Sequence, residues 1–370
     1  MPTRRTSASS FAVLALLLGA TASPVRAQKT ALLVGISTRE APSLPEFIEQ
    51  RNQTILIESD GKTAKLVATL PDIIVPHGGG FWRVGMATSC TLPSTQSAAA
   101  KSDETSQEHN DSSWDEAFYM SPIEVSPKVL TLNKSPGQSC DPNPCTFHGE
   151  TIWFVTSRFV STDFYQGQSD ACDPMGSGYA ETHVFRLGGV DAISLKKLTG
   201  ADGWEAYNIA VRDASYNLQQ ESANCEVFGD RSEVLQDTNW TLHRKQGKWS
   251  AMLRWQIGSG CEYVDDIDLE LPRTITDYDT LRPSWASLEQ QFQNLRDAFS
   301  SPAGNLLLVR TAASLAAYAT DNGKVGPKLL ELPAGRIVMA QWATGKYVDV
   351  WEKQLSSWER KGLPRLVGSP

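Results

Sequence analysis

The chain has 370 residues, of which 41% are hydrophobic and 21% charged, a balance typical of a folded globular protein rather than a disordered or collagen-like one. It carries 34 Lys and Arg against 42 Asp and Glu, a formal net charge of −8. An acidic surface repels phosphate backbones and anionic lipid heads, so we expect no nucleic-acid partner.

The first 27 residues have the pattern of a cleaved signal peptide. Arg4 and Arg5 precede an apolar run over residues 11–22, and the small-residue exit Val25-Arg26-Ala27 follows it. No apolar run reaches the roughly 20 residues of a membrane-spanning helix, so no membrane span is predicted. Without the three arginines of this leader, 31 basic residues stand against 42 acidic ones. We therefore predict an exported protein, periplasmic or secreted, with a single β-rich domain over residues 28–370.

Apolar and polar residues alternate with a period of two along most of this domain, which indicates β-strands. The clearest alternation covers residues 248–257, where five apolar side chains share one face: Trp249, Ala251, Leu253, Trp255 and Ile257. Similar short strands are predicted at residues 54–57, 65–70, 152–160, 207–211, 306–310 and 347–351. The fold class is therefore predicted to be mainly β, with antiparallel hairpins as its basic unit.

Three turn signals separate these strands, namely Asp60-Gly61-Lys62, Gln246-Gly247-Lys248 and Asn322-Gly323-Lys324. The segment at residues 61–75 is also similar to the segment at residues 323–338, because each runs from Gly-Lys through a Lys-Leu pair to Leu-Pro and a β-branched run. A hairpin unit that recurs at both ends favours a β-propeller-like closed array. The alternative is a pair of β-sandwich domains.

Two segments depart from the β pattern. Residues 96–113 are rich in Ala, Ser, Asp, Glu and Gln, so they are predicted to form a mobile surface loop. Residues 287–300 space Leu288, Phe292, Leu295 and Phe299 as on one face of a helix, and Pro302 follows. One amphipathic helix is predicted there.

All six cysteines lie after the leader and would enter an oxidising compartment on export. They are disulfide candidates: Cys90, Cys140, Cys145, Cys172, Cys225 and Cys261. Six cysteines allow 15 pairings. The turn Asp141-Pro142-Asn143-Pro144 favours a local bridge from Cys140 to Cys145 over a metal site that also includes His148.

The sequence contains no phosphate-binding glycine loop, dinucleotide fingerprint, nucleophile-elbow serine or paired-histidine zinc helix. The histidines are scattered, without a pair spaced as i and i+4. An acidic cluster at residues 265–270 is interpreted as a charged edge strand rather than a Ca²⁺ site. We therefore predict no catalytic residue, no cofactor and no metal.

These observations favour a soluble, monomeric, non-catalytic binding or scaffold protein whose ligand is an unknown protein or glycan. The alternative is a glycan-processing hydrolase, because the tripeptide Asp141-Pro142-Asn143 is similar to one that carries the nucleophile in some five-bladed glycoside hydrolases. Glycosidic hydrolysis needs a second carboxylate, which Glu150 or Glu181 could supply. The flanking cysteines do not match that pattern, and an enzyme is not the favoured interpretation.

Overall fold

A computed structural model of the chain describes residues 29–37, 52–91, 113–123, 146–168, 178–221, 236–257, 261–321 and 323–363. The strands within these ranges are β1 Thr30–Ser37, β2 Asn52–Ser59, β3 Ala64–Pro71, β4 Ile73–His77, β5 Gly80–Thr91, β6 Ser113–Pro122, β7 Thr146–Val155, β8 Phe159–Gln168, β9 Gly178–Arg186, β10 Thr241–Lys245, β11 Lys248–Ile257, β12 Cys261–Ile267, β13 Leu295–Ser300, β14 Leu306–Thr311, β15 Ser314–Asp321, β16 Lys324–Pro333 and β17 Arg336–Thr344. The helices are α1 Leu195–Thr199, α2 Ala201–Glu221, α3 Arg273–Thr276, α4 Trp285–Gln291 and α5 Lys346–Lys361.

The strands form three sheets. Sheet A has the order β17-β1-β2-β3, and sheet C has the order β13-β14-β15-β16. Sheet B has nine strands, in the order β10-β11-β9-β8-β7-β6-β5-β4 with β12 paired to β11. The pairs are antiparallel except for a short parallel pairing of β6 with β7. The prediction of a mainly β, antiparallel fold is therefore confirmed.

Sheet A joins the two ends of the described chain. Strand β1 pairs on one side with β17 and on the other with β2, and all eight of its residues are buried. Its apolar side chains alternate between two cores, because Leu33 packs against sheet B and Leu32 packs against sheet C. A strand that is buried on both faces is apolar throughout, as the sequence TALLVGIS is.

Sheet A is therefore the middle layer of three. Within the described residues we detect no closed barrel or propeller, so the propeller stays a prediction.

None of the helices in these ranges has the length and apolar composition of a membrane span. The signal-peptide prediction and most of the loop predicted at residues 96–113 fall outside the described residues.

Two predicted strands are wrong, and the strand predicted at residues 152–160 is interrupted, because β7 ends at Val155, residues 156–158 form a turn and β8 begins at Phe159. Residues 207–211 lie in α2, and residues 347–351 lie in α5. In α2 the buried side chains recur at a helical period, namely at Tyr207, Ala210, Val211 and Ala214. In α5 the buried side chains are Val348, Trp351 and Leu355. A window of five residues is too short to distinguish the two-residue period of a strand from the 3.6-residue period of a helix.

The predicted helix at residues 287–300 is wrong in most of its length. Helix α4 spans Trp285–Gln291, and Ser284 caps it by accepting a hydrogen bond from the backbone N–H of Ser287. The chain then turns at Asn294, whose φ is 56°, and residues 295–300 pair with β14 as β13. Pairing with a neighbouring strand outweighs the local helical spacing of the apolar residues.

Candidate functional site

A row of side chains crosses the middle of sheet B. Glu150 of β7 lies opposite Phe164 of β8, and Phe164 lies opposite Glu181 of β9. Direct cross-strand partners point to the same face of a sheet. Since neighbouring strands lie about 4.8 Å apart, the backbones of the two glutamates are about 10 Å apart with a phenyl ring between them.

His183 lies on the same face, two residues beyond Glu181 on β9. Its Nε2 lies 3.0 Å from Oε1 of Glu181, and its Nδ1 lies 3.1 Å from the carbonyl oxygen of Thr238. Both partners are acceptors, so the imidazole fits them best when both nitrogens carry a proton. Burial alone would lower the pKa of His183, but the hydrogen bonds to Glu181 and Thr238 and the charges of Glu181 and Glu150 raise it overall.

Glu150 lies where β6 and β7 separate. Their parallel ladder ends at Asp115 and His148, and the backbone N–H of Phe118 instead donates to Oε2 of Glu150 at 2.5 Å. Burial is the main cause that raises the pKa of Glu150, and the charge of Asp163 adds to it. The Phe118 hydrogen bond and His183 oppose this rise, and the net result is a pKa of about 7. Glu150 is therefore close to half-protonated at neutral pH.

Aromatic residues lie next to Glu150 and His183 on neighbouring strands. The rings of Phe118 and Phe185 lie 5.3 Å apart, and the imidazole of His183 lies 6.0 Å from the ring of Phe185 at a steep angle. Together with Phe164, these rings place apolar surface beside a proton donor and two carboxylates. We call the set of Glu150, Phe164, Glu181 and His183, with Phe118 and Phe185, the carboxylate face.

The chemistry available at the carboxylate face is proton exchange and hydrogen bonding. Glu150 can give or take a proton near pH 7, and Glu181 lies within 3.0 Å of Nε2 of His183 as its hydrogen-bonding partner. Within the part of the chain that the structure describes, no group of three or more His, Cys, Asp or Glu side chains is arranged to hold a metal ion.

The structure brings together two of the three carboxylates considered for hydrolysis. Glu150 and Glu181 share one face, whereas Asp141 lies outside the described residues. His183 was not predicted as a site residue, because the only histidine pattern considered was a pair spaced as i and i+4. The signal present was Glu181-x-His183, which places both side chains on one face of a strand.

The disulfide prediction falls outside the described residues. Cys90 lies in β5 and Cys261 begins β12, but their side chains are not among those described. The segments that contain the other candidates are not described, namely those of Cys140, Cys145, Cys172 and Cys225. The six cysteines therefore stay disulfide candidates.

The acidic cluster at residues 265–270 is partly neutralised by basic neighbours. Oδ1 of Asp266 lies 2.7 Å from Nε2 of His243, and Oδ2 of Asp266 bonds to Lys245. The strand that carries it, β12, pairs with β11. Asp266 is therefore the ion-paired member of this cluster.

Comparisons of the chain with protein-family models, with curated proteins and with solved structures found no match.

Proposed function

We propose that the chain is an exported, non-catalytic binding or scaffold protein that binds a glycan at the carboxylate face. The observation that carries this proposal is the placement of two half-buried glutamates and a histidine beside three phenylalanine rings. Small-ligand sites combine apolar and aromatic walls with a few polar groups that fix orientation. Carboxylates accept hydrogen bonds from sugar hydroxyls, and phenyl rings pack against the apolar faces of sugar rings.

The proposal includes a soluble monomer in the periplasm or outside the cell, and a propeller-like arrangement of the sheets. Two four-stranded antiparallel sheets and the pairing of β1 with β17 support this arrangement, because a closed array removes exposed sheet edges. Sheet A has a neighbouring sheet on each face, as a blade in a ring would have.

A glycan-binding screen tests the proposal. We expect the unaltered protein to bind at least one glycan class, and Glu150→Gln and Glu181→Gln each to weaken that binding at least tenfold. Glu289→Gln, at an exposed position of α4, is the matched control and should bind as the unaltered protein does. A glycan that all four proteins bind equally would contradict the assignment of the site, and no binding to any glycan would contradict the ligand class.

The pKa of Glu150 favours one second candidate, a glycan-processing hydrolase. A carboxyl group with a pKa of about 7 can act as a general acid at neutral pH, and Glu181 on the other side of Phe164 could act as the base or nucleophile. Carboxyl groups 6.5 to 9.5 Å apart are typical of inverting enzymes, and those about 5 Å apart are typical of retaining ones.

Hydrolysis of aryl glycosides separates the two candidates. An enzyme would release the aryl group, with a rate that falls at least a hundredfold in Glu150→Gln. Binding of a glycan without turnover would support the non-catalytic function and exclude the hydrolase function.

A further inference from the structure

The face of β7 and β8 opposite to the carboxylate face carries a second polar set. Thr151 and Asp163 are direct cross-strand partners, and they are 0% and 1% exposed. Oδ2 of Asp163 forms an ion pair with Nη1 of Arg254 at 2.5 Å. Oδ1 of Asp163 and Oγ1 of Thr151 are buried and have no hydrogen-bond partner among the described residues.

A β-bulge brings Trp153 to this set. The register passes from Ile152 opposite Thr162 directly to Phe154 opposite Ser161, so Trp153 is the extra residue. A bulge can re-aim a side chain, and the Trp153 ring lies 6.0 Å from the guanidinium carbon of Arg254 and 4.3 Å from that of Arg336. Nε1 of Trp153 is also buried without a hydrogen-bond partner among the described residues.

The three unpartnered groups are chemically complementary to one kind of molecule. The indole N–H of Trp153 is a donor, Oδ1 of Asp163 is an acceptor, and the hydroxyl of Thr151 can act as either. Buried polar groups in folded proteins are bonded to protein atoms or to ordered water in the large majority of cases. A ligand for this set must therefore both accept and donate.

Charge and access narrow the class of ligand further. A cation would lie beside the guanidinium groups of Arg254 and Arg336, and an anion would lie beside the carboxylate of Asp163. With Thr151 and Asp163 no more than 1% exposed, the set is closed to a larger organic molecule. A water molecule donates and accepts, and buried waters typically make about three hydrogen bonds.

We infer that Thr151, Trp153 and Asp163 hold one internal water molecule, which accepts from Nε1 of Trp153 and donates to Oδ1 of Asp163, with the Thr151 hydroxyl as its third partner. This water completes the hydrogen bonding of the buried pair between Asp163 and Arg254. The inference is independent of the function proposed for the other face of the sheet, since it needs no ligand there.

A crystal structure of the unaltered protein at 1.5 Å resolution or better tests this directly. We expect one solvent peak within hydrogen-bond distance of all three atoms. Density in which these atoms bond to each other or to further protein atoms, with no such peak, would overturn the inference. An anomalous signal from a chloride ion at that position would overturn it as well.

Magnetic relaxation dispersion of water oxygen-17 tests it in solution, because the method counts long-lived internal waters. The double variant Thr151→Val with Trp153→Phe leaves only the carboxylate, fewer than the two partners that a buried water needs. We expect the count to fall by one in this variant and to stay unchanged in Thr69→Val, an exposed position of β3. An unchanged count in a folded double variant would contradict the inference, and the crystal structure decides independently if that variant does not fold.

Discussion

Glu150 gives the protein a pH-dependent stability. A carboxyl group whose pKa rises from 4.5 to about 7 on folding contributes stability that is complete below pH 4.5 and is lost as the pH rises through 7. The shift corresponds to about 3 kcal/mol of unfolding free energy between these limits. His183, whose pKa is also raised, contributes with the same sign, because the stability from its protonation is lost at higher pH.

Urea unfolding of the unaltered protein at pH 5 and pH 8 measures this loss. Glu150→Gln should remove most of the difference between the two pH values, whereas Glu289→Gln should retain it. An equal pH dependence in Glu150→Gln would show that Glu150 titrates near its ordinary value.

Little of this site could be predicted from the sequence. Glu150 and Glu181 were candidates because hydrolysis requires two carboxylates, but their common face depends on the register of β7, β8 and β9, which is a long-range property. The pKa of Glu150 depends on burial and on Asp163 across the sheet. Neither effect has a local signature in the residues beside Glu150.

Arg244 connects sheet B to sheet C through buried ion pairs. Its Nε lies 3.1 Å from both carboxylate oxygens of Asp297, and its Nη1 lies 2.6 Å from Oδ1 of Asp279. The guanidinium carbon also lies 4.9 Å from the ring of Trp249 and 3.8 Å from that of Phe299. Arg244→Ala removes the ion-pair partner of the buried Asp297 and of the partly buried Asp279, and should lower the free energy of unfolding by about 3 to 5 kcal/mol.

The matched control is Arg212→Ala, because Arg212 pairs with Asp213 in solvent, where both side chains are more than half exposed. Its loss should cost less than about 1 kcal/mol in chemical denaturation. Equal effects of the two variants would mean that the Arg244 pairs contribute nothing beyond a surface pair.

Two glycine turns allow the stability cost of backbone strain to be distinguished from the stability cost of a steric clash. Gly247, between β10 and β11, has a φ of 75°, and Gly323, between β15 and β16, has a φ of 77°. A Cβ at Gly247 would lie 2.5 Å from Cδ2 of Leu281, whereas one at Gly323 would meet nothing within 4 Å. Gly323→Ala should therefore cost about 1 to 2 kcal/mol from backbone strain alone, and Gly247→Ala should cost more.

Thermal or chemical unfolding of the two variants compares these costs. A Gly247→Ala variant as stable as Gly323→Ala would show that Leu281 moves aside freely.

These turns also mark what the sequence does predict among the elements. Glycine after a polar residue placed hairpins correctly at Gly61 and Gly247, because positive φ is a local requirement that a residue type reveals. The alternation of apolar and polar residues over 248–257 predicted β11, because this pattern is also a local property of the sequence. The local pattern predicted a strand where α5 lies and a helix where β13 lies. The conformation of both segments depends on packing partners that are distant in sequence.

Helix α5 packs on the layer in which β1 and β17, from opposite ends of the described chain, pair with each other. Val348, Trp351 and Leu355 are buried against sheet A, and the rings of Trp351 and Trp358 lie 6.2 Å and 5.5 Å from Phe81 of sheet B. Truncation after Gly345 removes this helix and exposes the core between sheets A and B. We expect the loss of soluble folded protein, measured by size-exclusion chromatography and circular dichroism.

Removal of residues 364–370 alone is the control, because it leaves every described element intact. This shorter truncation should yield protein with the same unfolding midpoint as the full chain. A folded, soluble product of the truncation after Gly345 would contradict the role given to α5.

We propose the carboxylate face of β7, β8 and β9 as the glycan-binding site. The most direct measurement is a heteronuclear NMR titration with the tightest-binding glycan, following the side-chain carboxyl carbons of the glutamates and the backbone amides of sheet B. We predict that the largest shifts fall on Glu150, Phe164, Glu181 and His183, and that binding changes the pKa of Glu150 from its value of about 7. Shifts confined to other parts of the molecule, with Glu150 unaffected by the glycan, would contradict the claim.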